Sequence, residues 1–183
     1  MQDAAQGFRT SSKSIVGTVT SWPSSLHIAA SWDAELAEEW GQALGAEHRS
    51  KGANVILGPS VNVHRVPRGG RSRAKQELDI ITRTRTNRGL FARARRCAPP
   101  HMRVTGRNAE YISGESPHLG SVMASSYVRG VQTQGVVAVV KHFALNNQET
   151  NRNGVNSVCD ERTMFEVYYP PFKGERESKE ITT

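Results

Sequence analysis

Val136-Val137-Ala138-Val139-Val140-Lys141-His142-Phe143-Ala144-Leu145-Asn146-Asn147-Gln148-Glu149-Thr150-Asn151-Arg152 is the stretch from which the fold is read. Five β-branched or small apolar residues in a row, opened by Gly135, predict a strand buried on both faces, and polarity begins abruptly where that strand must end. A cation and an imidazole, Lys141 and His142, therefore stand at a strand's C-terminal edge. In parallel α/β folds that edge binds ligands, because the loops there converge on one mouth. The plainer alternative is that both residues are only the solvated end of a buried strand.

Working outward, residues 31–50 carry Leu36, Trp40, Ala43 and Leu44 at helical spacing, with Asp33, Glu35, Glu38 and Glu39 early and His48, Arg49 and Lys51 late. That order matches the charges to a helix dipole, and Gly52 is placed to end the helix. Ala53-Asn54-Val55-Ile56-Leu57 follows as a short strand halted by Gly58-Pro59. A second helix is expected from residue 119 to about 134, on the spacing of Leu119, Val122, Met123, Tyr127, Val128 and Val131, with Gly135 releasing the chain into the strand before Lys141. Helix, strand, helix, strand is the alternation of an α/β protein with a parallel sheet. A further amphipathic turn or short helix begins around residues 160–165, and Pro170-Pro171 is expected to stop it.

The chain has 183 residues, 37% of them hydrophobic, and a mean hydropathy of −0.53. That length suffices for one core of ordinary size, while the low hydropathy predicts that some part does not pack. No run approaches the roughly 18 apolar residues of a membrane span, and no basic n-region precedes an apolar stretch at the start, so neither anchor nor secretion signal is expected. Cys97 and Cys159 lie far apart in dissimilar contexts, and their spacing supports neither a disulfide nor a metal site.

The net charge of +7 suggests nucleic acid until it is located. Residues 71–105 hold ten Lys or Arg against Glu77 and Asp79, and the rest of the chain is nearly neutral. This segment has few large apolar residues and no period of two or 3.6, so it is expected to be a disordered or loosely helical loop. An RNA-binding arm is the functional alternative for it.

Several blocks together resemble glycoside hydrolase family 3, the β-glucosidase family. Gln2-Asp3-Ala4-Ala5-Gln6-Gly7-Phe8-Arg9 is similar to that family's Asp-Gly-Pro-x-Gly-x-Arg loop, with Ala4 and Ala5 in place of Gly-Pro. Ser21-Trp22-Pro23-Ser24 through Ile28-Ala29-Ala30-Ser31-Trp32-Asp33 resembles the start of the next helix. Gly58-Pro59-Ser60-Val61-Asn62-Val63-His64-Arg65-Val66-Pro67 resembles the strand and loop after it. Lys141-His142-Phe143 with Asn147-Gln148-Glu149-Thr150-Asn151-Arg152, and Asp160-Glu161-Arg162-Thr163 leading to Tyr168-Tyr169-Pro170-Pro171-Phe172, resemble two further blocks in the expected order. The resemblance implies a partial (β/α)8 TIM barrel of about three β/α units.

Three departures from the family pattern set the expected domain boundaries. Val66-Pro67-Arg68-Gly69-Gly70 is separated from Arg107-Asn108-Ala109-Glu110-Tyr111 by thirty-six residues, and excising them restores the pattern. Residues 71–106 are accordingly read as a basic insertion, a retained intron that preserves the frame, between a first barrel part at 1–70 and its continuation at 107–173. Gly174-Glu175-Arg176-Glu177-Ser178-Lys179-Glu180 replaces the next apolar strand, so 174–183 is read as a tail foreign to the family. Met1 falls inside what the family makes its first barrel strand, leaving Asp3 near the terminus. The resemblance therefore describes a truncated amino-terminal fragment.

A retaining glycosidase needs two carboxyl groups roughly 5 Å apart, one nucleophile and one acid/base. The resemblance implies that both belong to later blocks, an Asp on a later strand and a Glu in the following domain. No catalytic carboxylate is assigned here, and Glu149, Glu110, Glu115 and Asp160 are rejected as substitutes. What the resemblance leaves is part of the sugar-holding wall. Asp3 would accept from sugar hydroxyls, Arg107, Lys141 and His142 would donate to others of the same ring, and Arg9 would support the loop carrying Asp3. Among the tryptophans, Trp32 and Trp40 lie eight apart on one helix face and are assigned to the core rather than to sugar stacking, which Trp22 could also serve.

The implied function is hydrolysis of β-linked glucosides by the intact family fold, with this chain inactive by itself and a β-glucoside or oligosaccharide as its partner. No cofactor, metal, nucleic acid or membrane is expected; the oligomeric state is left open, and so is the compartment, although family members are often secreted. The alternative is a non-catalytic carbohydrate-binding or basic nucleic-acid-binding protein. Deleting residues 71–106 is expected to raise thermal stability or solubility, since it removes a long self-repelling loop; a deletion variant that melts below the parent would show that the segment packs.

Overall fold

Asp33 starts the longer of the first two helices. Its carboxylate accepts from the backbone N–H groups of Glu35 and Leu36 at 2.9 and 3.1 Å, satisfying two of the donors that a helix start leaves unpaired. In the computed structural model, which describes residues 1–3, 6–9, 17–65, 107–147 and 153–177, this helix α2 spans Ala34–Ser50 and follows a short α1, Ser25–Ala29. The insertion expected at 71–106 lies outside the described residues. A 3-10 turn, Arg107–Glu110, precedes α3, Pro117–Thr133, whose first turn is capped by Ser116 and accommodates Pro117 where no N–H is needed. Short α4, Glu161–Thr163, a π-helical turn, Met164–Tyr168, and α5, Pro170–Glu177, follow.

Three short strands, β1 Gln2–Asp3, β2 Val55–Leu57 and β3 Val137–Ala138, form a parallel sheet in the order β1-β2-β3. Gln2 is opposite Ile56 and Asp3 opposite Leu57, while Val55 and Ile56 face Val137 and Ala138. The chain is thus α/β with a small parallel sheet, as the alternation of patterns predicts. Gly135, at φ +69°, makes the left-handed turn that releases α3 into β3.

The core lies between the sheet and the α2–α3 pair, and contains Ile28, Ala37, Trp40, Leu44, Ile56, Val61, Ile112, Met123, Tyr127, Val131 and Val136. Trp40 and Tyr127 meet with ring centroids 5.0 Å apart. The two helices approach so closely that glycines stand at the crossing. A Cβ on Gly130 would land on the Glu38 carbonyl oxygen, and one on Gly41 on the carbonyl oxygen of Tyr127. Around this contact Arg129 Nε pairs with Glu38 at 3.1 Å, and the Arg49 guanidinium donates to the Gln134 carbonyl at 2.7 Å.

Four expectations need correction. The apolar run before Lys141 is not buried on both faces: Val136 and Ala138 are buried, but Val137 is 55% and Val139 39% exposed, because the pleat alternates sides and the described helices cover only one. The inner face of α2 is made by Ala37, Trp40, Gly41, Leu44, Gly45 and His48, whereas Leu36 is exposed. Trp32 is not in the core. It precedes the Asp33 cap at φ 59°, outside the helical phase that joined it to Trp40, and is 72% exposed. Pro170-Pro171 does not end helical structure but begins α5, since the first turn of a helix uses no intrahelical N–H donors.

Gly130→Ala sets two effects against each other. Better helix propensity favours alanine by about 1 kcal/mol, but the obstacle is backbone of the facing helix and yields only if the helices separate. The net expectation is destabilisation by about 1–3 kcal/mol, read from the urea midpoint at unchanged slope.

A candidate ligand-binding edge at the C-terminal end of the sheet

Pairing continues beyond β2. After the cis Gly58-Pro59 peptide bond, Ser60 bridges in parallel to Tyr111 on one side and Lys141 on the other. Lys141 N–H donates to the Pro59 carbonyl at 3.0 Å, Val61 N–H to the Lys141 carbonyl at 2.7 Å, and Ile112 N–H to the Ser60 carbonyl at 2.9 Å. The buried Ser113 hydroxyl donates to the Val61 carbonyl at 2.6 Å. This segment draws residues 111–113 and 141 to the same end of the sheet at which Asp3 closes β1.

There the Lys141 ammonium meets the Asp3 carboxylate, Nζ to Oδ1 at 2.5 Å, with side chains 15% and 37% exposed. A charge-assisted bond in a half-buried setting is stronger than a fully solvated pair, because less water competes for either group. It joins β1 to the segment that follows β3, across the segment that follows β2. The next residue, His142, is half-buried, with its ring edge-on to Tyr111 at 6.1 Å; Tyr111 in turn meets His64 edge-on at 5.6 Å. The Lys141-His142 and Phe143-Ala144 peptide bonds are cis. Beyond them Phe143 stacks on Tyr169 at 5.9 Å and meets Phe172 edge-on at 5.1 Å, tying the turn to α5.

Asn62 lies behind this turn, 5% exposed. Its Oδ1 accepts from His142 N–H at 2.8 Å, and its Nδ2 reaches the carbonyls of His142 at 3.0 Å and Ala144 at 3.3 Å and the Asn147 side-chain oxygen at 3.1 Å.

The structure therefore brings Asp3, Lys141 and His142 to one edge. Arg9 is exposed, Arg107 opens the 3-10 turn with its side chain outside the described ones, and residues 148–152 of the opening stretch are also outside the description. Trp22 is engaged with Glu47, donating Nε1–H to Oε2 at 2.8 Å. No group of three or more His, Cys, Asp or Glu fit to hold a metal occurs among the described residues, and none of their helices is long and apolar enough to cross a membrane. Sequence reasoning missed Asn62, Tyr111 and His64. A signal was present for the first: one carboxamide between Val61 and Val63, both buried, is a polar group that burial obliges to find partners.

The model of the glycosyl hydrolase family 3 N-terminal domain matches residues 103–179. The chain belongs to this family. The family 3 match takes in Tyr111, Lys141 and His142 and does not reach Asp3 or Asn62. Thermostable β-glucosidase B of Acetivibrio thermocellus is 37% identical over 154 residues, 84% of this chain and 16% of that protein. A β-glucosidase of Rhizobium radiobacter is 38% identical over 162 residues, 87% of this chain and 15% of that protein. Among solved structures, β-glucosidase 3B from Thermotoga neapolitana in complex with glucose is similar at TM-score 0.71 and 34% identity, over 97% of this chain and 20% of that one. The chain thus spans about a sixth of the length of these curated relatives.

Two histidines, His48 fully buried and His64 half-buried, link this structure to pH. Burial lowers the pKa of His48, against the pull of the Leu44 carbonyl and Glu47, and burial likewise lowers that of His64, against Glu115 and the Asn108 backbone. Below about pH 6.5 the unfolded chain takes up protons at these positions that the folded chain refuses, so stability falls with pH until the lowered folded values are passed. Melting temperature is expected to be flat above pH 7 and to drop between pH 6.5 and 5. His48→Leu should reduce that slope; an unchanged slope would remove His48 from the account.

Proposed function

We propose that the chain is the sugar-holding part of a β-glucosidase-type glycoside hydrolase. The observation that carries this reading is the Asp3–Lys141 ion pair at the C-terminal edge of a parallel sheet, with His142 beside it. Relatives named β-glucosidases, and a similar structure solved with glucose, support the substrate class. In this reading the three strands are an arc of a (β/α)8 barrel, about three of its units. Residues 1–70 and 107–173 are two parts of one barrel domain, for which their shared core of Ile56, Val61, Ile112, Met123 and Val136 speaks.

The chemistry follows from the groups. An ionised Asp3 accepts from two neighbouring hydroxyls of one sugar ring, while Lys141 neutralises it and donates to an adjacent hydroxyl. His142 offers a ring nitrogen to the same ring, and Arg107 would add a donor from the 3-10 turn. Hydrolysis with retention requires a nucleophile and an acid/base flanking the bond, and the resemblance places both in family blocks that this sequence does not contain. The 183-residue chain by itself therefore binds sugar and does not turn it over.

Saturation-transfer NMR with glucose is expected to show weak binding, reduced about tenfold or more by Asp3→Ala or Lys141→Ala, since each removes a charge-assisted donor or acceptor. An aryl β-glucoside should not be hydrolysed above background. Absence of any glucose contact would overturn the sugar reading; turnover abolished by Lys141→Ala would overturn the claim of inactivity and require a carboxylate pair within these residues.

A further inference from the structure

Lys141 and His142 are adjacent in sequence but held by different means. Both backbone hydrogen bonds of Lys141 run to the segment beyond β2, from its N–H to Pro59 and from Val61 to its carbonyl. It is fixed by the sheet, and Asp3 is fixed by β1. His142 has left the ladder. Its backbone N–H and its carbonyl are both bound by one side chain, Asn62, which also holds the Ala144 carbonyl and the Asn147 side chain.

We infer that Asn62 is the positioning residue for His142 and not for Lys141. This deepens the sugar-binding reading and rests on it. A carboxamide suits the task because it presents an acceptor to one N–H and a donor edge to several oxygens from one planar group. Aspartate keeps the acceptor but turns a carboxylate oxygen toward three oxygen atoms, and alanine removes both functions. Burial adds force to this, since the backbone groups of His142 lose their partner where water has little access.

The test separates positioning from general support. In the wild-type chain the His142 amide is expected to exchange slowly with solvent, as an amide bonded to a buried side chain does, and in Asn62→Ala to become fast while the amides of Lys141 and Val61 keep their protection. Asn62→Ala and Asn62→Asp should each weaken glucose binding about tenfold or more, the loss seen when a contact group is displaced by a fraction of an ångström to an ångström. In double-mutant cycles Asn62→Ala should add nothing to His142→Ala but add fully to Lys141→Ala. A fast His142 amide in the wild type would overturn the inference without recourse to any variant. So would equal loss of protection at His142, Lys141 and Val61, or additivity with His142→Ala. If the wild type binds no glucose, the sugar reading falls, and the exchange pattern still decides the role of Asn62.

Discussion

The backbone of Pro59, Ser60 and Val61 is hydrogen-bonded on both sides, to Lys141 across one edge and to Ile112 and the Ser113 hydroxyl across the other. Each of these residues sits where it does because a buried N–H or C=O must be paired, and this segment is the partner available. It joins parts of the sequence that lie before and after residues 71–106. Without it the parallel pairing would stop where β2 ends, at Leu57, and the turn bearing His142 would lose the hydrogen bonds that hold its first residue, Lys141. The side chains behind the segment, Val61 and Ile112, are wholly buried, so the same residues that align the edge also anchor it to the core.

The helix pair opposite the sheet solves a different problem. Strands of two and three residues contribute few ladder bonds, and most of the apolar area leaves water through α2 and α3. Close approach of two backbones gains dispersion contact over the whole crossing, at the cost of requiring glycine at Gly41 and Gly130. Val137 and Val139, exposed on the other face, mark where burial stops among the described residues. An apolar edge strand of this kind is a template for pairing with another chain.

Much of this was readable in advance. The charge order along α2, the periodicity of α3 and the turn at Gly135 are local features, and local physics set them. The Lys141-His142 position was readable because an apolar run meeting polarity marks a strand end whatever the strand's length. Tertiary contacts decided the rest. No hydropathy scale marks Gly41, Gly45 and Gly130 as a buried face, since their use comes from what they lack. Trp32 followed the helical phase in the sequence, but the cap at Asp33 starts that phase one residue later. The role of Asn62 depends on residues eighty and more positions away, so only its placement between two valines hinted at burial.

The pair between Asp3 and Lys141 spans 138 residues of sequence, a separation that sets the order in which this structure is assembled. Closing a loop of that length costs conformational entropy before the contact returns anything, and β1 offers only two residues of ladder to help. The α2–α3 contact and the β2–β3 pairing join elements already brought together by the common core. In this sheet order the two charges are brought together by the pairing of β1 with β2 and of β2 with β3, so their contact is expected to form late in folding and to open early. On the proposed reading this edge is also where sugar would bind, and a ligand that bridges Asp3 and Lys141 would add its own binding energy to the closed form.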